Sequence, residues 1–286
     1  MKKLIVKTLG FYLDTLSLIA PSYAARKGFL LFCRPFRVGT NQKQRNFFNS
    51  AEKFRLNHEG FSVQGYRWGR GDKKILFLHG WQSHSYRWKP YIEAISKDEY
   101  TIYSLDAPGH GLSSGSFLSV PLYSSLIENF IQQHNDVHTV VAHSLGGFSL
   151  LHAFYRLPEL PVNRIILLAP PGEATEFISV FQKTLGISDR TVKLVTEHFA
   201  SRYDVTPDFF STRRFAAKLN VKGLIIHDED DKEAPYRYSI PLQKAWNQSR
   251  LVTTKGFGHN LKSNTVVKEV VNFIQEEVHQ HSVPLM

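Results

Sequence analysis

A chain of 286 residues, 42% hydrophobic and 13% aromatic, is long enough for one large domain with its own core and too apolar for extended disorder. A single cysteine, Cys33, excludes an internal disulfide and the spacings of structural zinc sites, and fits a reducing, cytoplasmic setting. The net charge of +10 sits at one end: residues 1–55 hold eleven Lys and Arg against Asp14 and Glu52, and with no basic reader module elsewhere a nucleic-acid partner is excluded.

The elements follow in chain order. Residues 1–52 form a basic amphipathic arm rich in Leu, Ile and Phe, expected as a surface helix over residues 1–45 that lies on anionic membrane or packs beside a helical cap predicted further along the chain. Its first 25 residues have the outline of a secretory signal ending at Ser22-Tyr23-Ala24. Lys7 and Asp14 interrupt the apolar stretch, so neither a cleaved leader nor a transmembrane span is expected. Strands at Phe54–Asn57 and Phe61–Trp68 come before any helix of the main body and predict an antiparallel start at one sheet edge. Thereafter strands and helices alternate: strand Lys74–His79, helix Tyr86–Ser96, strand Tyr100–Leu105, helix Leu122–His134, strand His138–Ala142, helix Gly147–Arg156, strand Arg164–Leu168. Runs such as "KILFLHG" and "RIILLAP" are apolar throughout, as expected of parallel strands covered on both faces.

From Pro171 to Asn220 no strand pattern occurs, only helical runs such as "TVKLVTEHFASRY". Fifty residues are too many for an ordinary connection and predict a small helical cap, about 171–220, over the carboxyl ends of the strands. Strand Leu224–His227, helix Tyr236–Trp246, strand Leu251–Thr254 and helix Thr265–His279 complete the chain. The fold class is α/β: a mostly parallel central sheet flanked by helices over residues 53–286, with a cap inserted.

One hydroxyl stands at the junction of two apolar segments. In "VVAHSLGGFSL" the strand leads straight into Ser144 and a helix leaves after Gly146-Gly147, a turn sharp enough to hold the serine in strained geometry above the sheet. The positions two before and two after, Ala142 and Gly146, must be small. A serine needs a base oriented by a third group. "LIIHDEDDKEAP" enters an acidic loop at a strand's carboxyl end, offering Asp231 or Asp230, and "TTKGFGHN" places His259 in a glycine-flanked loop before the final helix.

This order, Ser144, Asp231, His259, resembles that of the α/β-hydrolase superfamily. "LFLHGW" is similar to its oxyanion strand and turn, "LDAPGHGLS" to its D-x-P-G-x-G-x-S loop, "AHSLGG" to its nucleophile elbow with Ala142 for the first glycine, "IHDEDDKEAP" to its acid loop and "GFGHN" to its histidine loop. The resemblance runs from Phe54 to Val278. It implies Ser144 as nucleophile, His259 as general base and Asp231 as the acid, since His227 and Asp231 match the loop H-G-x-x-D. Asp228 stands where that loop often has Gly, which keeps Asp230 as an alternative. It also implies oxyanion donors at the backbone N–H of Trp81 and Leu145, and hydrolysis of esters, thioesters or less often amides and C–C bonds, of which cofactor-free cleavage of a small ester or thioester is the one expected here. A catalytically silent fold that binds a ligand or partner is the competing function.

Other residues carry two readings. His79 is expected to bond backbone, and Asp106 and His110 to brace their loop. Trp81, Trp88 and Phe148 line an acyl pocket or pack in the core, and His143 points away from Ser144 to line the pocket or pack. No histidine pairs with carboxylates at metal-ligand spacing, so no metal is expected.

Overall fold

The structure is a computed structural model that describes residues 2–276. Three helices open the chain, α1 (Lys2–Ile19), α2 (Pro21–Phe32) and α3 (Gln42–Phe48). The strands are β1 (Glu52–His58), β2 (Phe61–Trp68), β3 (Lys73–Leu78), β4 (Tyr100–Leu105), β5 (Val137–His143), β6 (Arg164–Leu168), β7 (Lys222–Asp228) and β8 (Ser249–Thr254). They form one sheet in the order β1-β2-β4-β3-β5-β6-β7-β8. β1 and β2 pair antiparallel, β2 pairs antiparallel with β4, and the rest are parallel, so the expected antiparallel start lies at one edge.

The remaining helices are α4 (Lys89–Ala94), α5 (Val120–Gln133), α6 (Leu145–Arg156), α7 (Ala174–Leu185), α8 (Asp189–Tyr203), α9 (Thr212–Ala216), α10 (Ser239–Ala245) and α11 (Asn264–Gln275). α5, α6, α9 and α10 cover one face of the sheet, where Phe130, Phe148, Phe215 and Trp246 are buried. α4 and α11 cover the other with Phe77, Trp88, Tyr91 and Phe273. All six residues of β4 and all five of β6 are buried, the reason their sequences carry no alternation. The helix expected at Tyr86–Ser96 is divided into a 3-10 turn at Ser85–Trp88 and α4, because Pro90 at the start of α4 has no N–H to continue a ladder from the preceding turn. The expected end of the last helix at His279, like Val278, lies outside the described residues.

The helical excursion after β6 contains α7 and α8. It is pinched at its base by an isolated bridge between Glu173 and Ser211 and by backbone bonds Ala174 N–H to Phe210 O (3.0 Å) and Thr212 N–H to Gly172 O (2.9 Å). α9 lies beyond that neck and packs Phe215 on Phe148 of α6.

Of the opening helices, α1 and α2 pack against α7 and α8. Leu13 is buried against Leu185 and Ile187 at the α7–α8 junction, and Phe29 against Val195 of α8. Asp14 Oδ1 accepts from Ser188 N–H (2.9 Å), Ser188 Oγ (2.8 Å) and Thr191 Oγ1 (2.6 Å), capping the start of α8 from another helix. Burial raises the Asp14 pKa, but these bonds outweigh it and the net shift is downward. Downstream, Arg37 donates to the carbonyls of Gly111 (2.7 Å) and Gly115 (2.9 Å), tying the arm to the loop after β4. Among the described residues no helix is long and apolar enough to cross a membrane.

Candidate active site

The carboxyl ends of β3, β5, β7 and β8 converge. Ser144 follows β5 directly and caps α6 with φ +50° and ψ −121°, a left-handed conformation that costs a serine roughly 1–3 kcal/mol. Val140, Val141, Leu150 and Leu151 on either side are fully buried, each worth about 1.5–3 kcal/mol, so packing over-determines the bend. Its N–H is spent on the Leu168 carbonyl (2.9 Å). The next N–H, Leu145, opens α6 and has no carbonyl within the helix to receive it.

The crowding behind the small residues has a source other than Ala142. A Cβ built on Gly146 would stand 2.7 Å from the carbonyl oxygens of both Leu78 and His79, at the end of β3, and one on Gly80 would stand 2.9 Å from Ser144 Cβ. The elbow is pressed against the turn after β3, which brings Gly80, the residue before Trp81, beside the serine.

His259 Nε2 lies 3.0 Å from Ser144 Oγ, and its Nδ1 lies 2.8 Å from Asp231 Oδ2. A carboxylate only accepts, so Nδ1 carries the hydrogen and Nε2 is free to receive the Ser144 proton. Asp231 Oδ1 accepts from the N–H groups of Glu233 (2.8 Å) and Ala234 (2.9 Å). Burial pushes the Asp231 carboxyl up, but hydrogen bonds from His227, His259 and the Ala234 backbone outweigh it, and the net shift is strongly downward. Asp230 is exposed, and its N–H donates to Asp228 Oδ1 (3.0 Å).

Two residues with no assigned role in the sequence reading hold this arrangement. His227 Nε2 faces two acceptors, Asp231 Oδ2 at 3.1 Å and the Ala234 carbonyl at 2.8 Å, so it carries a hydrogen, and Nδ1 takes the Ser239 hydroxyl at 2.6 Å. Asp228 Oδ2 accepts from Thr254 Oγ1 (2.8 Å) and Phe257 N–H (2.9 Å), clamping the acid loop to the loop that carries His259. The departure from glycine at position 228 is therefore a tie between two loops. The only signal in the sequence was that departure.

The bracing residues behave as expected. Asp106 Oδ1 accepts from Ser85 N–H (2.8 Å) and Oγ (2.7 Å), and Oδ2 from Leu112 N–H (3.0 Å). His79 donates from Nδ1 to the Gly80 carbonyl (2.7 Å) and accepts Ala107 N–H at Nε2 (2.9 Å). His110 donates from Nδ1 to the Pro108 carbonyl (3.0 Å) and accepts Gln82 N–H at Nε2 (3.0 Å), which steadies the turn holding Trp81.

The pocket expectations divide. Phe148 is fully buried, its ring packed between Phe177 of α7 and Phe215, so it offers no surface to a substrate: this corrects the pocket reading in favour of the core. Trp88 is likewise fully buried, on Phe77. His143 is buried and sends Nε2 to the His259 carbonyl (2.9 Å), steadying the histidine loop. Trp81 stays half-buried with its ring edge-on to His110. Two surface hollows, about 450 Å³ along Arg67, Arg70 and Asp72 and about 310 Å³ beside Ile178, Glu197 and Pro207, include none of Ser144, Asp231 and His259. Among the described residues no three His, Cys, Asp or Glu side chains group to hold a metal ion.

Burial lowers the pKa of His79 and of His110 to about 3, because an imidazolium there is desolvated and would also set an N–H against the Ala107 or Gln82 donor. Both are neutral in the folded protein but charge near 6.5 when unfolded. Their contribution to stability is complete above that pH and is lost as pH falls toward 3, at up to about 1.4 kcal/mol per pH unit for each. Urea unfolding is expected to lose on the order of 2–4 kcal/mol between pH 6.5 and 5. A flat profile over that interval would show that these rings are not held neutral.

Comparison with known proteins is consistent with this geometry. The chain is 26% identical over 138 residues to the pimeloyl-[acyl-carrier protein] methyl ester esterase of Nitrosomonas europaea, covering 48% of this chain and 52% of that protein, so it spans about half of that curated relative. It is 23% identical over 261 residues to the bifunctional esterase/perhydrolase DCH of Acinetobacter calcoaceticus, covering 73% of this chain and 94% of that one. Est1E of Butyrivibrio proteoclasticus, solved with ferulic acid bound, shares the fold with a TM-score of 0.62 at 19% identity, over 77% of this chain and 97% of that structure. The sequence model of the alpha/beta hydrolase family matches residues 75–259. With that match over most of the chain, an eight-stranded mostly parallel sheet and esterases among its relatives, the protein belongs to the alpha/beta hydrolase family.

Proposed function

We propose that the protein is a serine hydrolase that cleaves a carboxylic ester or thioester through an acyl-enzyme intermediate. The observation that carries this reading is the 3.0 Å approach of His259 Nε2 to Ser144 Oγ at a strained strand-to-helix turn. Ser144 Oγ attacks the carbonyl carbon while His259 Nε2 takes its proton, and the carbonyl π pair moves onto oxygen. The N–H groups of Leu145 and Trp81 receive that oxyanion. Its collapse expels the alcohol or thiol, which takes the proton from His259. Water then attacks the acyl group by the same route, releasing the acid and restoring Ser144. Asp231 fixes the tautomer of His259 and stabilises the imidazolium without taking its proton.

The esterases among the relatives support an ester-type substrate, and a serine at the elbow suits acyl transfer. In this reading residues 53–286 are the hydrolase unit, the helical insertion is its cap, and residues 1–52 are an accessory layer on that cap. A fluorophosphonate probe is expected to label the protein at Ser144, and Ser144→Ala to abolish labelling. Nitrophenyl esters from acetyl to palmitoyl, beside acyl thioesters, are expected to show turnover with a chain-length optimum. No labelling together with no turnover across that panel would overturn the proposal in favour of a silent ligand-binding fold.

A further inference from the structure

The inner face of α1 is fully used: Leu13 is buried, Ser17 is buried, and a Cβ on Gly10 would stand 2.2 Å from the Leu185 carbonyl. Among the described residues the outer face is unpartnered. Leu4, Ile5, Phe11, Tyr12, Leu18 and Ile19 recur at seven-residue spacing, two helical turns, and so share one side. Leu4 is 72% exposed, Phe11 74% and Ile19 75%. Between them Thr8 and Thr15 turn their hydroxyls back onto the Leu4 and Phe11 carbonyls (3.0 Å each), which removes polar donors from the stripe. An apolar stripe along an 18-residue helix, about 27 Å long, is more than scattered surface hydrophobics.

Charge identifies what covers it. Residues 1–51 contain nine Lys and Arg and one acid, and that acid, Asp14, is turned inward to cap α8. Lys7 Nζ donates to the Lys183 carbonyl of α7 (3.3 Å), while exposed Arg26, Lys27 and Arg34 lie on α2 and the turn after it, with Tyr23 under Arg26 (6.0 Å) and Lys27 (5.2 Å). Two such arms face to face would oppose like charges with no acid to offset them, which argues against a second copy. We propose that the outer face of α1 docks flat on an anionic lipid bilayer, the apolar stripe at the acyl boundary and the basic residues on the headgroups. The helix lies on the membrane and does not cross it, and because its inner face is fastened to α7 and α8, docking brings the cap to the lipid surface.

The test uses the full chain and sedimented vesicles of phosphatidylcholine alone or with one third phosphatidylglycerol. Pelleting is expected with the anionic vesicles, weakening at high salt. Phe11→Ser with Leu18→Ser is expected to lower partitioning about a hundredfold, and Arg26→Glu with Lys27→Glu about tenfold or more. Thermal midpoints close to the parent's show that these exposed changes leave the fold intact, and Phe11→Gln with Leu18→Gln repeats the test if the serines do not. Equal pelleting of parent and variants, or no pelleting of the parent, overturns the proposal. So does a dimer without vesicles that the stripe variants disperse, which would assign the face to a second copy.

Discussion

Ser144→Ala and His259→Ala are each expected to lower ester turnover by about 10⁴–10⁶, and the double variant to be scarcely worse than either. The non-additivity follows from the geometry. The two side chains meet at one hydrogen bond of 3.0 Å, and either alone leaves the other without a function: an alcohol with no base, or a base with no alcohol. Residual turnover comes from whatever the backbone donors and substrate binding supply unaided. Stability should change little for Ser144→Ala, since the backbone bend is held by buried neighbours on β5 and α6 and not by the hydroxyl. Turnover within tenfold of the parent in either variant, measured with the best substrate of the ester panel, would remove Ser144 and His259 from the chemistry.

Asp231→Asn is expected to cost about 10⁴ in turnover at neutral pH with the fold intact. Asp231 Oδ1 keeps its two backbone donors if the amide oxygen takes that place, which puts the amide nitrogen where Oδ2 now receives hydrogens from His259 and His227. Donor would face donor. His259 would then hold its hydrogen on Nε2 and present it to Ser144, which is the wrong tautomer for a base. Asp230→Asn serves as the internal control: that side chain is exposed, and turnover within about threefold of the parent is expected, as for a surface substitution. If instead Asp230→Asn is the damaging change, the assignment of the acid is wrong. The downward shift of Asp231 keeps its carboxylate ionised well below neutral pH, so the stabilisation of its loop persists into acid and is lost only below the ordinary carboxylate range.

Much of the fold was legible because of where the strands lie. β4 and β6 are covered on both faces, so both are buried from end to end, carry no polar alternation, and stand out from the amphipathic helices around them. Helix ends were less legible. Pro90 and Pro241 fall inside segments that carry a helical apolar pattern, and the backbone there changes between 3-10 and α geometry. The candidate site was legible for a related reason: Ser144, Asp231 and His259 each come directly after a recognisable strand, and those strands run parallel, so all three lie at the carboxyl ends of the sheet.

What the order of residues determined by itself was the strand succession, the place of the helical excursion, the crowding of basic charge into the first fifty-five positions and the short list of side chains able to carry acyl transfer. Those properties are local or follow from the chemistry of single residues. The folded chain decided which of two adjacent aspartates turns toward His259, that Asp228 clamps two loops, that Phe148 belongs to the core, and that Asp14, an interruption in an apolar stretch, caps a helix 174 positions away. Each depends on the direction in which a side chain leaves its backbone and on what packs against it from distant sequence, which neither periodicity nor spacing encodes.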